Sequence, residues 1–248
     1  MPLTSNCVFH FTPTRESLEG ILVENFKISY CVESIHLDPS KTKKPAKFGV
    51  PMVSFCDIPL SQVKEHISKY GAYALGLSKD WAKAQGLCPV QYVASGSFYA
   101  KSLRRNIVGD DGPNSIMNYL DSVEIDLGRY CKMYEGPLVR PKKTYNSYRF
   151  YDEREWRYVP ERSDDFPAVI AVDQYRTKEQ KDEANSAFGD LRLKFGPEDI
   201  RYIIVDGEDD IPLFIDTIRR AKGTNYSHSE VERLTTRILT KSQIENDF

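Results

Sequence analysis

The chain has 248 residues, of which 40% are apolar and 28% charged, with a formal net charge of −2. That length and apolar share support a globular protein whose core needs no covalent staples. The near-neutral total argues against a dedicated duplex-DNA binder, which would carry a strong basic excess.

The five cysteines, Cys7, Cys31, Cys56, Cys88 and Cys131, are odd in number, widely spaced and lack a CxxC pair. This speaks against a zinc site or a disulfide framework and predicts free thiols in a reducing compartment. The N-terminus shows no basic, apolar leader, and no stretch is long and apolar enough to cross a bilayer. The expectation is a soluble cytoplasmic protein with no membrane partner.

In chain order, Cys7 to Phe11 is a short apolar run that predicts a strand. Thr12-Pro13 then opens a helix, with Leu18, Ile21 and Leu22 at helical spacing up to about Val23. Lys41 to Gly49 is polar and basic and predicts a loop. Pro51 to Cys56 predicts a second strand. The helix after Asp57-Ile58-Pro59 turns Val63, Ile67 and Tyr70 inward and stops at Gly71. His66, beside Ile67, is expected at the surface or its boundary. Ala72 to Leu77 is a strand, and Ser78 caps a short helix that ends at Gly86. Val90 to Val93 is another strand. Apolar residues from Ser115 to Tyr134 recur at helical spacing. Glu155 to Val159 and Ala168 to Val172 predict adjacent strands, followed by a polar helix over Lys178 to Ala187. Ile200 to Val205 is a buried strand and Asp209 to Ala221 a helix. From Ser227 the spacing predicts an amphipathic tail helix with Val231, Leu234 and Ile238 on one side.

Strands and helices lack a regular alternating beat, so the fold class is α+β: a mixed or antiparallel sheet core with flanking helices. One domain over residues 1–222 and a helical tail over 223–248 are expected, with the break at Gly223-Thr224-Asn225. The basic stretches Lys41, Lys43, Lys44, Lys47 and Arg140, Lys142, Lys143 are expected to be solvated loops.

Phosphate loops, dinucleotide fingerprints, zinc-protease helices and nucleophile elbows are all missing from the sequence. Two places remain. His10-Phe11-Thr12 sits where a strand meets a helix start. Free N–H groups there favour phosphate, although a structural histidine and a threonine cap would look the same. The second place is Asp152-Glu153-Arg154-Glu155-Trp156-Arg157. On a strand Glu153, Glu155 and Arg157 share one face, and Arg154, Trp156 and Tyr158 the other. Paired carboxylates raise each other's proton affinity or grip a sugar; cross-strand ion pairs are the other reading. Trp156 and Tyr158 are expected to be buried, and Glu155 partly exposed.

Taken together, several segments resemble the AbiGi family of abortive phage-resistance proteins, described as antitoxins. They are His10-Phe11-Thr12, Leu18 to Leu22, VPMVSFCDIPLSQVKEHISKYGAYALGLSKDWA from Val50 to Ala82, and FYDEREWRYVP from Phe150 to Pro160. The resemblance covers most of residues 6 to 206. More distantly, the early His-x-Thr and late Glu-x-Glu resemble ADP-ribosyltransferase toxins. That resemblance implies an ADP-ribosyltransferase-like core using NAD as substrate, with no metal. His10 and Thr12 would meet the riboses, and Ser54 and Phe55 would lie on the strand beside the nicotinamide. Glu155 would be the catalytic glutamate, with Glu153 two positions before it. Phe55 or Tyr73 would hold the flat ring, and Arg154, Arg157 or Lys79 the pyrophosphate. His10 and Glu155 would then face one pocket. The reaction would pass through an oxocarbenium-like state that one carboxylate stabilises. Nucleic acid or protein would be the acceptor. The other function implied is a non-catalytic antitoxin that binds a cognate toxin.

Overall fold

The computed structural model describes residues 5–35, 45–107, 123–140 and 143–247. Its elements run β1 (Cys7–Thr12), α1 (Arg15–Glu24), β2 (Phe26–Lys27), β3 (Ser29–Ile35), β4 (Ala46–Cys56), α2 (Lys64–Tyr70), β5 (Tyr73–Ser78) and α3 (Lys79–Ala84). Next come β6 (Cys88–Pro89), β7 (Gln91–Val93), α4 (Phe98–Ile107), α5 (Val123–Arg129), β8 (Cys131–Met133), β9 (Gly136–Arg140) and β10 (Lys143–Tyr148). The chain ends with β11 (Glu155–Tyr158), β12 (Ile170–Ala171), α6 (Lys178–Ser186), β13 (Arg192–Leu193), β14 (Ile200–Val205), α7 (Asp210–Lys222), α8 (His228–Thr235), β15 (Ile238–Thr240) and α9 (Lys241–Asp247). The fold is α+β with mostly antiparallel strand pairs. It divides into two compact units, residues 1–27, 54–87 and 192–248 in the first, and 28–53 and 88–191 in the second.

In the first unit β1 lies antiparallel to β5 along its whole length, from Cys7↔Ser78 to Thr12↔Tyr73. β14 flanks β5 on its other edge, and β15 runs parallel to β14. β5 is central, and Ala74, Leu75 and Leu77 have no exposed surface. A continuous apolar run is what a strand covered on both faces requires. Phe214 and Ile218 of α7 and Leu234 of α8 are likewise fully buried.

Local chemistry explains the helix starts. Thr14 accepts from the Ser17 N–H and caps α1, so the helix starts two residues later than Thr12-Pro13 suggests. Thr12 instead ends β1, and its hydroxyl donates to the Thr14 carbonyl. Ser227 and Glu230 form a reciprocal capping box at α8. The tail does not continue as one helix: Ile238 begins β15, where pairing to β14 overrides helical spacing. His66 is buried, stacked on Tyr70, not at the surface.

In the second unit β3 and the early part of β4 form a hairpin, registered from Ser29↔Met52 to Ile35↔Ala46. β12 pairs with β4 at Ile170↔Gly49. A Cβ on Gly49 would meet Ile170 Cγ1 at 2.7 Å, so the close approach requires glycine. β7 runs parallel to β8 and β11 antiparallel to β6, while β9 and β10 make a separate ribbon. Phe48, Val50, Met52, Val93, Ala100, Ile125 and Met133 form the core.

Three expectations change here. Residues 46–49 are strand, not loop, because they pair with β3 and β12; Lys41, Lys43 and Lys44 lie outside the described residues. Of the helix expected over Ser115 to Tyr134, Val123–Arg129 is helical and Cys131–Met133 is strand because it pairs with β7; residues 108–122 lie outside the described residues. The strand at Ala168 to Val172 shrinks to two residues, which pair with β4 and not with β11. Among the described residues no helix is long and apolar enough to cross a membrane.

Gly71 and Gly86 make a test of this packing. Both have positive φ, +119° and +73°. A Cβ at Gly71 would lie 2.2 Å from the Thr12 carbonyl oxygen, whereas at Gly86 it would meet nothing within 4 Å. Gly86→Ala should cost about 1–2 kcal/mol, the left-handed penalty alone. Gly71→Ala should cost clearly more, since backbone must also shift. Thermal melts of the two variants compare them, and equal losses would contradict the close Gly71–Thr12 contact.

Candidate functional site: a buried ion network

The second unit places five charged side chains in contact. Glu33 comes from β3, Lys132 from β8, and Glu155 and Arg157 from β11. Glu153 comes from the single helical turn at Phe150–Glu153. Arg157 has no exposed surface, and Glu153 and Glu155 are each 5% exposed. Arg157 Nε donates to Glu155 Oε1 at 2.5 Å, and its Nη2 bonds Glu33 Oε1. Its Nη1 donates to the main-chain carbonyls of Arg129, at 2.8 Å, and of Cys131. Lys132 Nζ bonds Glu155 Oε2, lies 3.1 Å from Glu153 Oε2, and sits 5.1 Å above the Phe150 ring. Both Glu155 oxygens are therefore held by cations. The Glu155 N–H donates to the Tyr92 hydroxyl at 2.8 Å.

The backbone makes this convergence possible. Arg154 adopts the left-handed conformation, φ 45°. Glu153 ends a turn and Glu155 begins a strand, and the bend between them aims both carboxylates at Lys132. A non-glycine residue in that region costs roughly 1–3 kcal/mol and persists only where its surroundings over-determine it. Arg154 itself points elsewhere, and its Nη1 is buried with no hydrogen-bond partner among the described residues.

Burial pushes the Glu155 carboxyl up, but Arg157 and Lys132 outweigh it and hold it at about 2. For Glu33 burial wins, and the carboxyl is raised despite Arg157 and Lys132. Burial lowers Lys132, yet the three carboxylates keep it well above the ordinary lysine value. Among the described residues no group of three His, Cys, Asp or Glu side chains is arranged to hold a metal.

The expected exposure on β11 is reversed. Glu155 and Arg157 face the interior, while Trp156 and Tyr158 are only partly buried. The alternation is as read, but the pairing of opposite charges lets the polar face, not the aromatic one, turn inward. Lys132 and Glu33 went unread in the sequence. Lys132 lay inside a stretch with helical spacing, and Glu33 in an unassigned run. The β-branched and aromatic content of Ile28 to Ile35 was the available signal for β3.

The other sequence-predicted residues lie in the first unit. His10, Ser54 and Phe55 come together there: His10 Nδ1 is 2.8 Å from the Ser54 carbonyl oxygen. The His10 ring packs edge-on to Phe26 at 5.1 Å and lies 5.6 Å from Phe55. Burial lowers the His10 pKa, with the Ser54 carbonyl opposing it, so its ring is neutral at pH 7. Phe55 is 2% exposed and packs on Phe26 and Trp81. Thr12 is buried. Tyr73 donates to Asp210 at 2.9 Å, and Lys79 pairs with the buried Asp57 at 2.6 Å. None of the five cysteines is in a disulfide.

The family model described as "Putative abortive phage resistance protein AbiGi, antitoxin" matches residues 24–206. A protein of Lactococcus lactis subsp. cremoris, "Abortive phage resistance protein AbiGi", is 30% identical over 252 residues, covering 88% of this chain and 98% of that protein. No solved structure matches the chain. All five members of the ion network fall within the family span, whereas His10 and Thr12 precede it.

Two variants probe the network. Lys132→Met leaves Glu153 and Glu155 with one cation fewer and should cost about 3–5 kcal/mol, as breaking a buried pair does. Glu155 is ionised in the folded state down to about pH 2 against an ordinary value of 4.5. Its contribution is complete above about pH 4.5 and is lost as pH falls towards 2. The raised Glu33 acts on the other side, its contribution present below 4.5 and fading as pH rises through its folded value. Glu155→Gln should therefore flatten the loss of stability between about pH 4.5 and 2. Denaturant unfolding at a series of pH values reads this, and an unchanged acid limb would show that Glu155 is not held as described.

Proposed function

Since the chain belongs to the AbiGi family of abortive phage-resistance proteins, we propose that it acts in anti-phage defence as an antitoxin. On this reading it binds a cognate toxin protein in the cytoplasm and does not turn over NAD. One observation carries the non-catalytic part: each oxygen of Glu155 is engaged by a buried cation. A carboxylate stabilises an oxocarbenium ion by offering uncompensated negative charge. Glu155 offers none, because Arg157 and Lys132 already neutralise it.

The remaining residues point the same way. A nicotinamide ring needs an open aromatic face, and Phe55 has both faces in the core of its unit. His10 and Thr12 already bond main-chain carbonyls, and Tyr73 and Lys79 bond carboxylates. The family description supports an antitoxin role and, with it, a toxin as partner.

The transferase reading has one observation in its favour, the meeting of Glu153 and Glu155 on Lys132. The two readings part in a single assay. Calorimetry with NAD and chromatography for released nicotinamide should both be blank, alone and with nucleic acid or cell extract as acceptor. The same protein, tagged and expressed in a host carrying its native neighbouring genes, should retain a stoichiometric protein partner. Nicotinamide release that disappears in Glu155→Gln would overturn the antitoxin reading in favour of the transferase.

A further inference from the structure

Three arginines of the first unit gather around the turn that leads into β14. Arg201 is the second residue of β14, Arg233 stands in the last turn of α8, and Arg237 follows that helix by two residues. The Arg237 N–H still bonds the Leu234 carbonyl at 3.0 Å, and its own carbonyl accepts from the Ile203 N–H at 2.9 Å, which lays it against β14. The side chains of Arg201 and Arg237 then meet at one turn. Arg201 Nη1 donates to the Glu198 carbonyl at 2.6 Å, and Arg237 Nη1 lies 3.4 Å from the carbonyl of Pro197, one residue earlier. Two guanidiniums held on consecutive carbonyls are neighbours. Burial and the like charges of Arg201 and Arg233 all push the Arg237 pKa down, so Arg233 belongs to the same group.

Among the described residues, none of these three arginines has a carboxylate within ion-pair distance. The acidic side chains nearby are committed elsewhere. Glu198 folds its carboxylate back over Gly196, where an added Cβ would lie 2.4 Å from Oε2. Asp199 accepts from the Gly196 N–H at 2.8 Å. Glu230 closes the capping box at α8, accepting from the Ser227 N–H at 2.9 Å. Glu232 holds Arg219 through both oxygens. The carbonyl end of α8 attracts a cation, but a helix dipole amounts to roughly half a charge at its end and cannot balance three. Arg201 and Arg233 are exposed and Arg237 is partly buried. Like charges crowded without a counter-charge work against the fold, and a local choice of that kind marks a use elsewhere.

We propose that Arg201, Arg233 and Arg237 bind the phosphate group of a small phosphorylated compound. A guanidinium presents a planar fork of N–H donors that matches phosphate oxygens. It has five such donors, so the carbonyl bonds of Arg201 and Arg237 hold each head in place and leave donors free for a ligand. A phosphate monoester carries about −1.5 to −2 charge and three acceptor oxygens, one for each arginine. A carboxylate, with a single charge and two oxygens, would leave most of the positive charge unmet. The site lies in the first unit, apart from the buried ion network of the second. It neither requires nor excludes the toxin-binding reading.

Calorimetric titration of the full chain with inorganic phosphate and with adenosine monophosphate, at constant ionic strength, tests this. Each should fill one saturable site with a Kd of about 1 mM or tighter, and acetate should bind at least about 10-fold more weakly. Arg233→Gln and Arg237→Gln should each weaken phosphate binding about 10- to 100-fold, the loss of one charge-assisted contact. In phosphate-free buffer the melting temperature of both variants should hold, since each relieves a repulsion. A purely structural role would lower it and leave the phosphate affinity where it was. Arg176→Gln, which removes one exposed charge from the second unit, should change neither. A monophosphate that binds tighter than inorganic phosphate places the ligand among nucleotides, and equal affinities place recognition in the phosphate alone. Three results would each overturn the proposal. One is no saturable binding of either phosphate compound. Another is a phosphate affinity untouched in both arginine variants. The third is acetate binding as tightly as phosphate.

Discussion

A guanidinium with no exposed surface is the constraint around which the second unit is arranged. Removing Arg157 from water costs several kcal/mol, recovered only if its donors are met with good geometry. They are met from four places: Glu155 two residues back on the same strand, Glu33 on β3, and the carbonyls of Arg129 and Cys131 at the joint between α5 and β8. The partners belong to three separate stretches of chain, so satisfying one side chain fixes all three. An apolar residue of similar volume could serve stability as well. What Arg157 adds is intolerance of error. A slip of β11 by one residue would turn Glu155 and Arg157 outward and Trp156 inward, leaving Glu33 without the guanidinium that it bonds.

The same balance explains why a Glu-x-Glu pair need not be catalytic. Paired carboxylates do chemistry when one is left short of positive charge or is kept protonated against the substrate. Here Lys132 lies between Glu153 and Glu155, and Arg157 takes the remaining oxygen of Glu155. Glu33, bonded by Arg157, is the carboxylate for which burial outweighs the cations and raises the pKa. Two nearby glutamates in a sequence thus leave the decisive quantity unstated, namely the number and placement of the cations that meet them.

Much of the first unit was legible because its signals are local. The apolar runs of β1, β5 and β14 and the stop at Gly71 are written in consecutive residues. The second unit was less so. β3 and the first part of β4 gain their strand character from pairing with one another, across a stretch whose own composition reads as a basic loop. β8 is three residues long, and Lys132 within it has no meaning until β7 and β11 are in place. On β11 the two-residue alternation was correctly read and its sense was not. Alternation shows which residues share a face, but only the partners across the strand decide which face is inside. Arg157 went in because Glu33, more than a hundred residues earlier, supplies an acceptor no local pattern could announce.

The partly exposed turn at Phe150–Glu153 and the buried network are joined through tyrosine. Tyr151, at the open end, lies edge-on to Tyr92. The Tyr92 hydroxyl accepts the N–H of Glu155, and its own proton is held firmly, since burial raises its pKa well beyond that of free tyrosine. One residue before Tyr151, Phe150 sits beneath the Lys132 ammonium. The turn that carries both aromatics ends at Glu153 and passes through the strained Arg154 into β11. Neither part can be moved alone. Shifting Tyr151 disturbs the hydroxyl that pins the start of β11, and withdrawing Phe150 uncovers the lysine that holds Glu153 and Glu155. The left-handed turn at Arg154 is tolerated because its two sides are anchored, one by the aromatic stack and the other by the ion network. The turn that carries Phe150 and Tyr151 is thereby held in place at the expense of one residue's backbone comfort.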